Sequence, residues 1–305
     1  MGQIAFVFPG QGSQRPGMGR SLVEASPAAA KVFDMAEALR PGTKRQCFEG
    51  TDEELSATVN TQPCLYAVEL AAARALMERG VEPHMLAGFS LGEVTALALS
   101  GAFTARQGME IVTHRGELMQ RAAEESNAAM AAVVKLENET VARLCREFER
   151  VYPVNFNAPG QVTVSGGVKE LEAFKARVKE LGGRCIPLKV GGGFHAPFMA
   201  PAAEEFEKAL ESYDIKAPAV PVYSNVTALP YEGDIKGLLA RQMTSPVLWS
   251  RTVENMIAAG ADTFIECGPG GVLSGLIARI NESVRVLTVE DAETLDKTLS
   301  EVGAC

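Results

Sequence analysis

Short apolar runs punctuate the chain at intervals, each closed by glycine, proline or polar residues, and stretches with apolar positions three and four apart lie between them. Runs of this kind bounded by turn signals read as buried strands, and the longer period reads as helix. The pattern predicts strands at QIAFVF (3–8), HMLAGF (84–89), VPVYSNV (220–226), TFIECG (263–268) and VRVLTV (284–289). It predicts helices over about 27–39, 52–59, 63–79, 104–124, 197–212, 234–244, 250–259 and 272–280, with a further one opening at Leu91. Thr51 and Glu54 have the spacing of a capping box, and Gly80 is placed to end the third helix. Strands alternating with helices imply a mostly parallel sheet covered by helices, hence an α/β protein.

Residues 126–190 break that rhythm. Strand AAMAAVV, helix ETVARLCREFER, strands YPVNFN and QVTVSG, helix LEAFKARVKEL and strand RCIPLKV follow in the order β-α-β-β-α-β, a ferredoxin-like unit. The expected organisation is a discontinuous larger domain, 1–125 and 191–305, interrupted by a small one, 126–190. No internal repeat or low-complexity linker is present.

Composition narrows the function classes. A chain of 305 residues that is 47% hydrophobic can bury a large core, in one big domain or a big one plus a small one. No apolar run approaches the roughly 18 residues of a membrane span, and MGQIAFVFPG lacks the basic start and small-residue cleavage site of a signal peptide, so the cytoplasm is expected. Cys47, Cys64, Cys145, Cys185, Cys267 and Cys305 show no C-x-x-C spacing and read as reduced thiols, mostly in the core. A net charge of −9 argues against general nucleic-acid binding, so any anionic partner must be met by local basic groups.

The chemistry concentrates in AGFSLGEV (87–94), where Gly88, Ser90 and Gly92 fall on the turn from an apolar strand into a helix. Small residues on either side of a serine at such a turn fit a nucleophile elbow, in which strain holds Oγ outward. The same residues also fit a helix-capping serine beside ordinary loop glycines. A nucleophile needs a base, and the chain has three histidines. His84 begins the strand that ends at Ser90, about 20 Å away at the rise of a strand, and is excluded. His114, on the long helix after the elbow, reads as a packed or surface residue. His195 stands in GGGFHAPF, after three glycines and just before Pro197; a lone loop histidine is ordinarily solvated, but this one is the remaining partner for Ser90.

The helix carrying His114 also aligns Ile111, Val112, Leu118, Met119 and Ala122 on one stripe, with Arg115 in its middle. Arg115 either lays its stem over apolar neighbours and reaches solvent, or points into a pocket and clamps a carboxylate with its planar fork. The first loop, FPGQGSQ (8–14), fails as a dinucleotide fingerprint because the third glycine of G-x-G-x-x-G falls on Arg15 and no helix opens directly behind it. Its backbone N–H groups could instead join that of Leu91 in stabilising an oxyanion.

FPGQGSQ, GFSLGE, HRGELMQ, NFNAPGQ, GGFHAPFM, SPVLW and ECGPGGVL, collinear from residue 8 to 273, together resemble the malonyl-CoA:acyl carrier protein transacylases of fatty acid synthesis and the acyltransferase domains of polyketide synthases. The resemblance implies an α/β-hydrolase-like domain with a ferredoxin-like insertion. It implies Ser90 as nucleophile, His195 as base, Arg115 as clamp for the malonyl carboxylate, and Gln11 and Leu91 as backbone donors to the oxyanion. In the family the histidine is oriented by a backbone carbonyl, for which Gln242 in RQMTSPV is the matching position, so no triad carboxylate is needed. Phe194, before the histidine, is the residue of malonyl-type members, where methylmalonyl-type members tend to have serine. One departure stands beside the nucleophile: Phe89 occupies the place where the family usually has histidine.

The implied reaction carries a malonyl group from malonyl-CoA to the phosphopantetheine thiol of acyl carrier protein through a malonyl-serine, in ping-pong fashion, with no metal or tightly held cofactor, in a monomer. A serine esterase or thioesterase would share the elbow, but would ordinarily place an acidic triad member between serine and histidine. A non-catalytic acyltransferase-like scaffold would bind carrier protein without forming an acyl-serine.

Overall fold

Nine strands divide between two sheets in the computed structural model, which describes residues 2–188 and 190–303. Cys305 and the Lys189 position of the predicted RCIPLKV strand lie outside the described residues. The strands are β1 (Gln3–Phe8), β2 (Met85–Gly88), β3 (Ala128–Val134), β4 (Val151–Ala158), β5 (Gln161–Gly167), β6 (Arg184–Pro187), β7 (Val222–Tyr223), β8 (Ala261–Cys267) and β9 (Arg285–Val289). The protein is thus a mixed α/β chain with one parallel sheet and a separate antiparallel one.

The parallel sheet has the order β7-β2-β1-β8-β9. Alternation along β1 explains its two-sided burial: Phe6 and Phe8 enter the core beneath helices Pro27–Leu39 and Thr58–Glu78, while Ala5 and Val7 enter a second core with Trp249 and Phe264 on the opposite face. A strand covered on both faces shows a continuous apolar run, which is how QIAFVF reads in the sequence. Phe8 pairs with Gly88, so the loop after β1 and the turn after β2 emerge side by side at the carboxyl edge of the sheet. In open α/β sheets that edge is where ligands bind.

The antiparallel sheet has the order β4-β5-β3-β6, with helices Asn138–Cys145 and Val168–Glu180 as its crossovers. Its elements follow the β-α-β-β-α-β order predicted from the sequence. Its own core gathers Val133, Val162, Val164 and Phe174. A short parallel bridge helps tie it to the rest of the chain: the Phe156 N–H donates to Val247 O at 2.9 Å and the Val247 N–H donates to Val154 O at 2.8 Å.

Helix boundaries moved where local signals misled. The helix predicted from 63 begins at Thr58, so Pro63 lies inside it. Proline leaves the carbonyl four residues earlier without its helical donor; here Val59 O receives the Arg40 guanidinium at 3.4 Å instead. The capping box predicted at Thr51 is half made. The Thr51 hydroxyl accepts from the Glu54 N–H at 3.1 Å, but the Glu54 carboxylate turns to Arg45 and Gln46. A reciprocal box forms at Thr104 and Gln107. The helix predicted over 197–212 opens with a 3-10 turn, Pro197–Met199. Helices Arg20–Ala25, Thr43–Glu49 and Ala292–Val302 lie outside the predicted elements, although the last carries Leu295, Leu299 and Val302 at helical spacing. Among the described residues no helix is long and apolar enough to cross a membrane. Cys47, Cys64, Cys145, Cys185 and Cys267 are free thiols, all buried except the half-buried Cys185.

Candidate active site

Ser90 sits between β2 and helix Leu91–Leu99 with φ 55° and ψ −100°, a backbone conformation costly for a residue with a side chain. Its neighbours explain how the turn is made. A Cβ on Gly88 would lie 1.9 Å from the Gly92 carbonyl carbon, and a Cβ on Gly92 would lie 2.2 Å from Phe8 O. Two glycines therefore let strand, turn and β1 close on one another and leave the serine half-buried at the rim.

His195 arrives from the loop before Pro197, also at positive φ (58°), and only 4% of its surface is exposed. Its Nε2 lies 2.8 Å from Ser90 Oγ and its Nδ1 lies 2.9 Å from Gln242 O. A carbonyl oxygen can only accept, so Nδ1 carries the proton and Nε2 is left as the acceptor facing the serine hydroxyl. Burial, and then the Arg115 charge, push the imidazole from 6.5 down to about 4, so it is neutral and available as a base at neutral pH. The other two histidines lie elsewhere. His84 accepts from the Ile4 N–H at 3.1 Å, and His114 is half-buried beside Glu117 on its own helix.

Arg115 is fully buried, which decides between its two readings: the side chain points inward. The guanidinium donates to Gln62 Oε1 at 2.9 Å, Ser90 Oγ at 3.1 Å and Gln242 Oε1 at 2.7 Å, all neutral oxygens, and its Nε has no partner among the described residues. Burial lowers its pKa to about 10, opposed by the nearby Glu93 carboxylate, so it remains charged. The site thus holds a buried cation with an unfilled donor beside a serine–histidine pair.

Gln11, Leu91 and Phe194 all line the cavity of about 80 Å³ in front of Ser90, with Met119 and Met130. Among the described residues the N–H groups of Gln11 and Leu91 have no hydrogen-bond acceptor, while the Gln11 side chain donates to Thr58 Oγ1 at 3.2 Å. A second space of about 220 Å³ shares Gln11, Phe89, Asn155 and Leu188 with the first and runs between the two sheets. Phe89 packs its ring against Trp249, with centroids 5.7 Å apart, so the place of the family's usual histidine is filled by apolar contact.

Sequence reasoning missed four side chains that hold this geometry. Asn225 Oδ1 accepts from the Ser90 N–H at 2.7 Å while its Nδ2 donates to Gly88 O at 2.6 Å, clasping the elbow from both sides. Gln62 holds Arg115, and Glu93 and Tyr231 lie behind Asn225 and Gln242. Glu93 carried a weak signal as a polar residue within an apolar helical stretch, whereas Gln62 lay just before the helix predicted from 63; Asn225 was read within the strand predicted over 220–226, which ends at Tyr223 and leaves Asn225, like Tyr231, in a loop without periodicity.

The chain as a whole is similar to known proteins. The acyl transferase domain family matches residues 5–298. Malonyl CoA-acyl carrier protein transacylase of Bacillus subtilis (strain 168) is 41% identical over 304 residues, covering 97% of this chain and 96% of its own. The enzyme of the same name from Escherichia coli (strain K12) is 37% identical over 307 residues, covering 98% and 99%. Among solved structures, malonyl CoA-acyl carrier protein transacylase from Clostridium perfringens superposes with a TM-score of 0.95 at 37% identity, covering 99% of this chain and 97% of its own. A malonyl-transacylase solved in complex with a type II polyketide synthase acyl carrier protein gives 0.94 at 36% identity, covering 98% and 99%.

Proposed function

Since the chain belongs to the acyl transferase domain family, we propose that it transfers a malonyl group from malonyl-CoA to the phosphopantetheine thiol of acyl carrier protein, by a ping-pong route through malonyl-Ser90. The observation that carries the reading is the meeting of a serine–histidine pair with a buried arginine whose contacts are all neutral. In the first half-reaction Ser90 Oγ attacks the thioester carbon and passes its proton to His195 Nε2. The carbonyl oxygen becomes an oxyanion facing the N–H groups of Gln11 and Leu91. The carbon–sulfur bond then breaks, and the coenzyme A sulfur leaves with the proton from His195. In the second, the carrier thiol gives its proton to His195 and attacks the serine ester, and Ser90 Oγ leaves with that proton.

The Gln242 carbonyl does the orienting work that a carboxylate does in other serine enzymes, which supports the transferase over the esterase reading. Arg115 holds the malonyl carboxylate, and Phe194 narrows the acyl pocket toward malonate. Partial neutralisation of Arg115 by that carboxylate also relieves the charge that depresses His195, so substrate makes the base stronger. The neighbouring 220 Å³ space gives the pantetheine arm a route between the sheets. The reading includes a hydrolase-like larger domain, 1–125 and 191–305, a ferredoxin-like insertion, 126–190, and a cytoplasmic monomer.

Intact-mass measurement after mixing with malonyl-CoA tests the proposal. One malonyl adduct is expected on the wild type and none on Ser90→Ala; an adduct persisting in the variant overturns the assignment, and fast hydrolysis without transfer to carrier protein favours a thioesterase.

A further inference from the structure

Asn225 and Gln242, the two amides that grip the main chain of Ser90, are themselves held by a single carboxylate. Glu93 lies three residues after the nucleophile on helix Leu91–Leu99 and is fully buried. Its Oε2 accepts from the Asn225 N–H at 2.9 Å and from Gln242 Nε2 at 3.0 Å, and its Oε1 takes the Tyr231 hydroxyl. From Asn225 the connection reaches Ser90 N and Gly88 O; from Gln242 it reaches Ser90 O at 2.8 Å, Arg115 at 2.7 Å and the carbonyl under His195. An acidic residue in the first turn of a helix ordinarily serves the helix dipole. This one faces inward, and its partners are the groups that fix nucleophile, base and guanidinium.

Resting on the acyl-serine reading above, we propose that Glu93 is a positioning residue for the transfer reaction and a determinant of its acyl preference. Its oxygens hold the main chain of Asn225 and the side-chain amide of Gln242, the two residues that keep Ser90 in its strained conformation, and its charge balances Arg115 across the Gln242 amide. Backbone strain survives only where the surroundings over-determine it, and Asn225 and Gln242 supply that constraint only while something fixes them. Burial raises the Glu93 carboxyl to about 7, with Tyr231, Gln242, Asn225 and the Arg115 charge all pulling it back toward the anion. At pH above that value, where Glu93 is ionised, a malonyl carboxylate on Arg115 shares the guanidinium with an anion already in place.

Two substitutions separate charge from position. Glu93→Gln keeps the shape and can keep every hydrogen bond, with the amide oxygen toward Asn225 and Gln242 and the NH2 toward the Tyr231 oxygen, but removes the competing charge. Its malonyl-to-acetyl ratio of kcat/KM for loading Ser90 should rise about 3- to 10-fold, mainly through a lower KM for malonyl-CoA, as expected when one of two anions sharing a cation is neutralised. Glu93→Asp keeps the charge but draws it back by one methylene, so that it no longer spans both amides. Its kcat should fall roughly 10- to 100-fold for malonyl and acetyl alike, the cost of an ångström-scale misplacement.

The measurement is rapid-quench intact mass of the full chain with malonyl-CoA and with acetyl-CoA, alongside far-UV circular dichroism and Tm. Wild-type-like kcat and ratio in both folded variants would overturn the inference while leaving the acyl-serine reading intact, whereas absence of any adduct on wild-type Ser90 would overturn both. If Glu93→Asp proves too unstable, the ratio in Glu93→Gln decides: a rise supports the inference and an unchanged ratio overturns it.

Discussion

Arg115 and His195 are coupled by one electrostatic fact, a buried guanidinium beside a buried imidazole. If Arg115 binds the malonyl carboxylate, Arg115→Ala should lower malonyl loading by about 2–5 kcal/mol of transition-state stabilisation while sparing neutral acyl groups, because only the charged substrate loses its partner. Arg115→Lys should recover part of the loss, since an ammonium keeps the charge without the fork. The malonyl-to-acetyl loading ratio on Ser90 measures both. The pH profile provides a separate check. In the proposed reaction His195 must be neutral to act as the base, and its pKa is depressed to about 4. The acid limb it contributes to kcat/KM should lie near pH 4 rather than 6.5, and should move upward in Arg115→Ala as the repelling charge goes. Stability follows with the same sign: between pH 6.5 and 4 the unfolded chain takes up a proton that the folded imidazole refuses, so this contribution declines as pH falls through that window. A kinetic limb centred at the ordinary histidine value would contradict the buried geometry.

At the scale of elements, the elbow is a junction where β1, β2 and helix Leu91–Leu99 come closer than side chains allow. Alanine at Gly88 or Gly92 would drive a Cβ to within 1.9 or 2.2 Å of backbone atoms. Backbone cannot yield as a flexible side chain does, so each should cost at least about 1–3 kcal/mol. Gly275 supplies the contrast. It lies on the exposed side of helix Val272–Ile280 with nothing within 4 Å of a built Cβ, and Gly275→Ala should stabilise by about 0.5–1 kcal/mol through helix propensity. Calorimetric Tm values should fall for the first pair and rise for the third; a neutral Gly92→Ala would mean the turn has slack. The elbow was legible because the glycine spacing, the apolar strand before it and the helical period after it are all local. Helix Thr58–Glu78 was read short for the converse reason: Pro63 is a strong local stop signal, and only Arg40, from a distant segment, supplies the donor that lets the helix pass through it.

For the molecule as a whole, Ser90, His195 and Arg115 meet where the parallel sheet faces the antiparallel one, and the segment after Gln242 joins the sheets through the Val247 bridge. Val247→Pro removes the N–H that donates to Val154 O. It should speed hydrogen exchange in β4 and lower malonyl loading, because the same segment carries the carbonyl that orients His195; unchanged exchange and rate would make the bridge incidental. By itself the sequence determined the alternation of strands and helices, the β-α-β-β-α-β order of the small sheet, the elbow at Ser90 and the family resemblance, since periodicity and motif spacing are properties of neighbouring residues. Tertiary structure alone decided that Arg115 is buried rather than snorkelling, and that it meets Gln62 and Gln242 from 53 and 127 positions away. It also decided that Glu93 underlies the whole site through Asn225, 132 positions further on. Those side chains are polar, lie on segments with no shared period, and reveal their partners only when packing brings distant segments to one edge of a sheet and buries them there.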